Sequence, residues 1–190
     1  GVVPTDQDGR VLGFIEKPAP GESPTDWINA GTYVLEPSVL KQIPLNKRVS
    51  VEKETFPALA ATSQLFAFKS ETYWIDTGTP ATYLQAQIDL LEGGVRGSSH
   101  DGIDPTSKIN GEVNQSVIGA NVVVEEGARI EKSVILKGAK IEKGTIISNS
   151  IIGFESCVGQ DATINSLSVV GHRVQVPKGI ELNGNTLAKS

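Results

Sequence analysis

Residues 116–184 decide the fold once they are written as four lines. They are SVIGANVVVEEGARIEK from Ser116, SVILKGAKIEKGTIISN from Ser133, SIIGFESCVGQDATINSL from Ser150 and SVVGHRVQVPKGIELNG from Ser168. Successive lines begin 17, 17 and 18 residues apart, a period that signals a repeat architecture. Three columns are aliphatic in every line: Ile118, Ile135, Ile152 and Val170; Val124, Ile141, Val158 and Val176; Ile130, Ile147, Ile164 and Leu182. Three ladders about six residues apart predict a coil with three sides and one short strand per side. β-branched side chains suit such strands, and stacking like on like builds one continuous interior. Each buried Ile or Val contributes about 1.5–3 kcal/mol before ordering entropy is subtracted. A sandwich of short strands gives no reason for a 17-residue register. Gly119, Gly153 and Gly171 follow the first column, and Gly127 and Gly144 lie three residues past the second. All five are expected at corners that need positive φ. The open ends of such a stack expose strand edges, so a homo-oligomer formed through the repeat is expected.

Composition sets the outer limits. Of 190 residues, 38% are hydrophobic and 21% charged, a globular balance. The net charge of −5 disfavours nucleic acid and anionic membranes as partners. No apolar run is long enough for a membrane span, and no signal peptide opens the chain. The single cysteine, Cys157, sits within a coil and reads as a buried structural thiol. With no disulfide framework possible, a cytoplasmic location is expected. The chain has no methionine, and it opens on Gly1-Val2-Val3, already strand-like. It reads as part of a longer protein.

Outward from the repeat, residues 1–92 alternate strand and helix signals and predict an α/β fragment with too few strands for a complete doubly wound domain. Val2 to Lys17 reads as a hairpin turning at Asp8-Gly9, ended by Pro18. Strands are expected at 27–35, 65–68 and 72–75. A short helix is expected from Pro37, a second capped by Ser50, and a third capped by Thr79 with Pro80 at its first position, closed by Gly93. Residues 93–105, rich in Gly and Ser and holding His100, read as a linker. Residues 106–190 form the repeat region.

Two stretches could carry chemistry. Glu16-Lys17 ends a strand: a carboxylate can accept from sugar hydroxyls and an ammonium can neutralise a phosphate, although such a pair beside Pro18 is also an ordinary solvated strand end. In Trp74-Ile75-Asp76-Thr77-Gly78-Thr79-Pro80 a carboxylate stands between a strand and a helix, where ligands of α/β sheets gather. Asp76 there could hold Mg²⁺ alongside substrate phosphates, or serve as a turn residue satisfying local amides.

Taken in order, Phe14-Ile15-Glu16-Lys17-Pro18, Trp27-Ile28-Asn29-Ala30-Gly31-Thr32-Tyr33 and Trp74-Ile75-Asp76-Thr77-Gly78-Thr79-Pro80 resemble motifs of the sugar-1-phosphate nucleotidyltransferase family. In that family the catalytic domain is commonly followed by a left-handed parallel β-helix of hexapeptide repeats. The hexads Val117-Ile118-Gly119 and Ile151-Ile152-Gly153 resemble that fold, and the left hand is implied by the resemblance alone. Val51-Glu52-Lys53-Glu54-Thr55-Phe56-Pro57, together with residues 176–184, looks most like the mannose-1-phosphate guanylyltransferases within the family.

The resemblance implies nucleotidyl transfer from an NTP, with GTP first in line, to a sugar-1-phosphate, with mannose-1-phosphate first, giving an NDP-sugar and pyrophosphate. It makes Glu16 a ligand of sugar hydroxyls and Lys17 the group that holds the sugar phosphate and neutralises charge in catalysis. Asn29 and the Gly31 backbone would line the sugar pocket, and Asp76 would be one Mg²⁺ ligand. Gly1-Val2-Val3 resembles the segment whose glycine amide touches the sugar. The family's glycine-rich, Arg-containing triphosphate loop and its further metal-binding Asp have no counterpart here, so the chain alone is expected not to turn over. Glucose-1-phosphate thymidylyl-, uridylyl- or adenylyltransferases are the neighbouring alternative. A non-catalytic regulatory or scaffold subunit is another, and a hexapeptide-repeat acyltransferase using His172 as base is a third.

Overall fold

The computed structural model describes residues 1–15, 18, 19, 21–93 and 102–188, in two compact units, Gly1–Trp74 and Ile75–Ser190.

The second unit is a parallel β-solenoid of about five turns. Fifteen strands of two or three residues, among the described residues, form three sheets of five. One side stacks Val117–Ile118, Val134–Ile135, Ile151–Ile152, Val169–Val170 and Thr186–Leu187. The second stacks Lys108–Ile109, Val123–Val124, Lys140–Ile141, Cys157–Val158 and Gln175–Val176. The third runs from Glu112–Asn114 to Glu181–Asn183. The three aliphatic columns are in register as expected, and each gains a member that the four lines omit: Leu187, Ile109 and Val113. Ile135, Ile141, Ile152, Val158 and Ile164 are fully buried in one continuous core.

The corner glycines divide into two kinds. Gly127 (φ +74°) and Gly144 (φ +67°) have the expected left-handed backbone. Gly119, Gly153 and Gly171 do not, which corrects the expectation for them. They allow close approach of one coil to the next: a Cβ on Gly153 would lie 2.5 Å from the carbonyl carbon of Gly171, and one on Gly119 would lie 2.8 Å from the Lys137 nitrogen.

The serines that open each line form a ladder of their own, a role not evident from the sequence. Ser116, Ser133, Ser150 and Ser168 are buried. Each hydroxyl donates to a carbonyl of its own corner, on Asn114, Glu131, Ser148 and Asn165 at 2.6–2.8 Å. The hydroxyls of Ser116 and Ser133 then accept the amides of Ser133 and Ser150, one coil later, at 3.0 and 3.1 Å. The 18-residue step interrupts this chain. Its extra residue falls at the corner where Ser166 (φ +56°) and Leu167 (φ +63°) are both left-handed, and the Ser168 amide turns instead to Asn165 O.

Helix α3 (Pro80–Leu91) starts as expected, with Thr79 and Thr82 forming a reciprocal cap. It packs on the solenoid: Leu84 is buried against Val134 and Ile151, with Val117 and Val169 beside them. These are the outward residues of the first side. Over those four coils that side is apolar on both faces, whereas the second side presents Lys140 and Gln175 outward.

The first unit is a small mixed structure. The expected hairpin forms, with Val2 facing Ile15, Thr5 facing Val11, and the turn at Asp8-Gly9 (Gly9 φ +81°). Val2 also faces Ile28, and Arg10 faces Phe66. Each pairing is a single bridge, so the strands expected at 27–35 and 65–68 reduce to bridge points, and 72–75 forms no strand among the described residues. Residue preference favours a strand, but a neighbouring ladder is what makes one. Gly31 (φ +74°) bends the 27–35 run out of register. Helix α1 (Pro37–Leu40) is short as expected. Ser50 caps the next helix by accepting from the Lys53 amide at 3.3 Å. Its opening turn, Val51–Thr55, is a wide π-type turn running into α2 (Phe56–Ala61). Pro57, which lacks an N–H and crowds the preceding turn, is the reason for the widening.

Candidate sugar-phosphate site

Of the residues singled out from the sequence, Glu16, Lys17 and His100 lie outside the described residues. Asn29 and Gly31 fall in the first unit and Asp76 in the second.

Asn29 lies at the centre of a polar cluster. Its Oδ1 accepts from the Gly31 amide at 3.1 Å, closing a tight turn. Its Nδ2 donates to Glu52 Oε1 at 2.8 Å and to Tyr33 OH at 2.6 Å. Tyr33 OH lies 3.4 Å from the same Glu52 oxygen. The Asn29 backbone amide donates to Gly1 O at 2.9 Å, which brings the chain's first residue to the cluster. The Trp74 indole donates to Ala30 O at 3.2 Å. The cluster is braced from one side: the Tyr33 ring stands edge-on to Phe56, 4.8 Å away, and Phe56 is buried with Val39 and Leu59. Gly31 has open space where a Cβ would sit, so its backbone angle, and not crowding, calls for glycine. Half-buried polar side chains beside an open turn suit a polyhydroxylated ligand.

Asp76 is exposed, and its Oδ1 accepts from the Gly78 amide at 3.0 Å. The turn role therefore holds, and among the described residues the second carboxylate oxygen takes no part in it. That fits a one-oxygen ligand of Mg²⁺, an ion that keeps water and substrate oxygens for the rest of its shell. Among the described residues no group of three or more His, Cys, Asp or Glu could hold a metal by itself.

Two further groups make contacts within the solenoid. His172 Nδ1 accepts from the Phe154 amide at 3.0 Å, and its ring stacks on Phe154. The Cys157 thiol donates to Glu142 at 3.7 Å and is pushed up, first by burial and then by that carboxylate. Such a thiol is a poor nucleophile. A cavity of about 270 Å³ between α3 and the first coil is lined by Leu91, Ile103 and Val113, with Gln115 at 3.5 Å from Glu92. It contains none of the expected site residues. Glu52, Tyr33 and Trp74 were not singled out as site residues. The signal for Glu52 lay in the 51–57 motif, which the sequence ties to the family without giving a role. Among the described residues no helix is long and apolar enough to cross a membrane.

Both parts of the chain match known families. Residues 1–93 match the family model described as nucleotidyl transferase, and residues 93–189 match the GMPPB C-terminal domain. The two meet at the end of α3. "Probable mannose-1-phosphate guanylyltransferase 3" of Oryza sativa subsp. japonica is 35% identical over 98% of this chain and 55% of its own length. "Mannose-1-phosphate guanylyltransferase 1" of Arabidopsis thaliana is 37% identical, also over 98% and 55%. The Mycobacterium tuberculosis "Mannose-1-phosphate guanylyltransferase" is 37% identical over 71% of the chain and 40% of its own length. The chain spans about half the length of the curated relatives it matches. With both halves matched and the repeat in register, the chain belongs to the sugar-1-phosphate nucleotidyltransferase family, in the branch that carries the GMPPB C-terminal domain.

Proposed function

We propose that this chain supplies the sugar-phosphate half of a mannose-1-phosphate guanylyltransferase and does not complete turnover alone. The observation that carries this reading is the 35–37% identity with proteins of that name across 98% of the chain. The Asn29 turn supports it as a seat for sugar hydroxyls, and the Glu16 carboxylate would accept further ones.

In the reaction, an oxygen of the sugar phosphate attacks the α-phosphorus of GTP. A P–O bond forms, the α–β anhydride breaks, and pyrophosphate leaves with the electron pair. No proton need move, so positioning and charge neutralisation carry the catalysis. The Lys17 ammonium would hold the sugar phosphate and offset the repulsion between it and the triphosphate. Asp76 would offer one oxygen to Mg²⁺, which when bound supplies positive charge to the leaving pyrophosphate. With one unpaired cysteine and no disulfide, the chain suits the cytoplasm, and we place it there as a homo-oligomer assembled through the solenoid.

Isothermal titration with mannose-1-phosphate, and separately with glucose-1-phosphate, both with Mg²⁺, tests the reading. Saturable binding that prefers mannose is expected, with no pyrophosphate release on adding GTP. Preference for glucose would move the chain to the neighbouring glucose-1-phosphate enzymes. Pyrophosphate release by a pure sample would overturn the claim of inactivity, and binding of neither sugar would overturn the sugar site.

A further inference from the structure

We infer that Glu52 is the positioning residue of the sugar seat: it fixes the Asn29 side chain so that Asn29 meets the ligand only as a hydrogen-bond acceptor. The inference deepens the proposed function and rests on it for the identity of the ligand.

The argument begins with the hydrogen-bond inventory of a carboxamide. Asn29 has two N–H donors and two lone pairs on its oxygen. Both N–H groups are engaged, one by Glu52 Oε1 and one by Tyr33 OH. One lone pair is engaged by the Gly31 amide. A single acceptor position is left. Flipping the carboxamide would point its oxygen at the Glu52 carboxylate and its N–H₂ at the Gly31 N–H, so both neighbours oppose the flip. Glu52 is the stronger of the two because its bond is charge-assisted. The carboxylate is itself held from below: Glu52 lies in the π-type turn capped by Ser50 and leading into buried Phe56. Tyr33 meets the same oxygen from a ring braced on Phe56. The widened turn that Pro57 imposes thus has a use, since it presents Glu52 towards the Asn29 loop.

A sugar hydroxyl approaching this seat must donate to Asn29 Oδ1. Without Glu52 the carboxamide is held only by the Gly31 amide and Tyr33 OH, and the ligand must complete its ordering on binding, which weakens affinity. Gln at position 52 keeps a carbonyl oxygen for Asn29 Nδ2, so it should rescue what Ala loses.

The test has two arms on the 190-residue chain. In the first, without ligand, the Asn29 side-chain N–H₂ resonances are assigned by their loss in Asn29→Asp. They should be well separated in the parent chain, collapse towards solvent-exposed positions in Glu52→Ala, and stay separated in Glu52→Gln, while solenoid amides do not move. In the second arm, mannose-1-phosphate titration should show Kd about tenfold weaker in Glu52→Ala and within about threefold of the parent in Glu52→Gln. Unchanged Asn29 resonances in Glu52→Ala, or equal affinity of Glu52→Ala and the parent chain, would overturn the inference. Absence of binding by the parent chain would sink the sugar reading, while the first arm would still decide whether Glu52 positions Asn29.

Discussion

The two units solve the problem of burying apolar surface in opposite ways. The solenoid repeats one coil, and every strand after the first on each side finds a parallel neighbour already laid down. In the first unit, strands meet at single bridges, and Val34 and Phe68 are 99% and 97% exposed. Among the described residues, the most exposed large aliphatic of the solenoid, Ile146, is 46% exposed. The difference teaches that local pattern suffices where each element's partner is the next copy of itself. It falls short where the partner is a distant segment, because a lone strand has little stability of its own.

Replacing Ile141, fully buried at the centre of its column, should break the contrast most directly. Ile141→Ala removes methylenes that two neighbouring coils enclose, and about 2–5 kcal/mol should be lost. In denaturant unfolding followed by a solenoid probe and by Trp27 and Trp74 fluorescence, only the solenoid transition should shift. A matching shift in the tryptophan transition would mean the units do not unfold separately.

A pair of glycine substitutions sharpens the comparison. Gly153→Ala places a methyl against the backbone of the next coil and should cost about 1–3 kcal/mol through overpacking. Gly31→Ala meets open space but keeps a left-handed φ, and should cost about 1 kcal/mol. Thermal melts that rank the two in the reverse order would refute the distinction between crowding and conformation.

The smallest effect is electrostatic. Bonds from Lys140 and from the Gln160 amide hold the Glu142 carboxyl below its ordinary value of 4.5, and Arg173 does the same for Glu155. A depressed carboxyl contributes stability that is fully present above its ordinary value and is lost as pH falls through the depressed one. Lys140, pushed up to about 12 by Glu125 and Glu142, has the opposite sense: its contribution is present below 10.5 and lost as pH rises through about 12. Lys140 and Glu155 are exposed and Glu142 is partly so, so the gain is slight. Acid melts of the parent chain should fall slightly more steeply below pH 4.5 than those of Glu142→Gln. Parallel curves would remove Glu142 from the account.

Legibility followed the same divide. The aliphatic columns, the Thr79 cap and the Asp8-Gly9 turn could be read because each depends on residues close in sequence. The double-sided first sheet is written in the pairs Val117-Ile118, Val134-Ile135, Ile151-Ile152 and Val169-Val170, but a ladder of inward residues says nothing of what covers the outward member of each pair. The Asn29 cluster joins residues 1, 29, 33 and 52 through unpatterned segments, and no spacing rule foretells that Glu52 meets Asn29 Nδ2. The tight glycines read as positions of special backbone angle because a sequence shows a missing side chain without showing what occupies its space.

The longer coil shows where this architecture can grow. Its extra residue sits at the Ser166-Leu167 corner, and the stack keeps its core: Ile164, Val170 and Leu182 still point inward. What is given up is one link, since among the described residues the Ser150 hydroxyl accepts no amide, and the serine chain resumes only when Asn185 donates to Ser168. The same insertion inside Lys140–Ile141 would turn every following inward side chain of that strand outward. Descent by insertion and deletion is therefore free to lengthen the corners and closed to the sides, so coils of 17 and 18 residues can be inherited together in one solenoid.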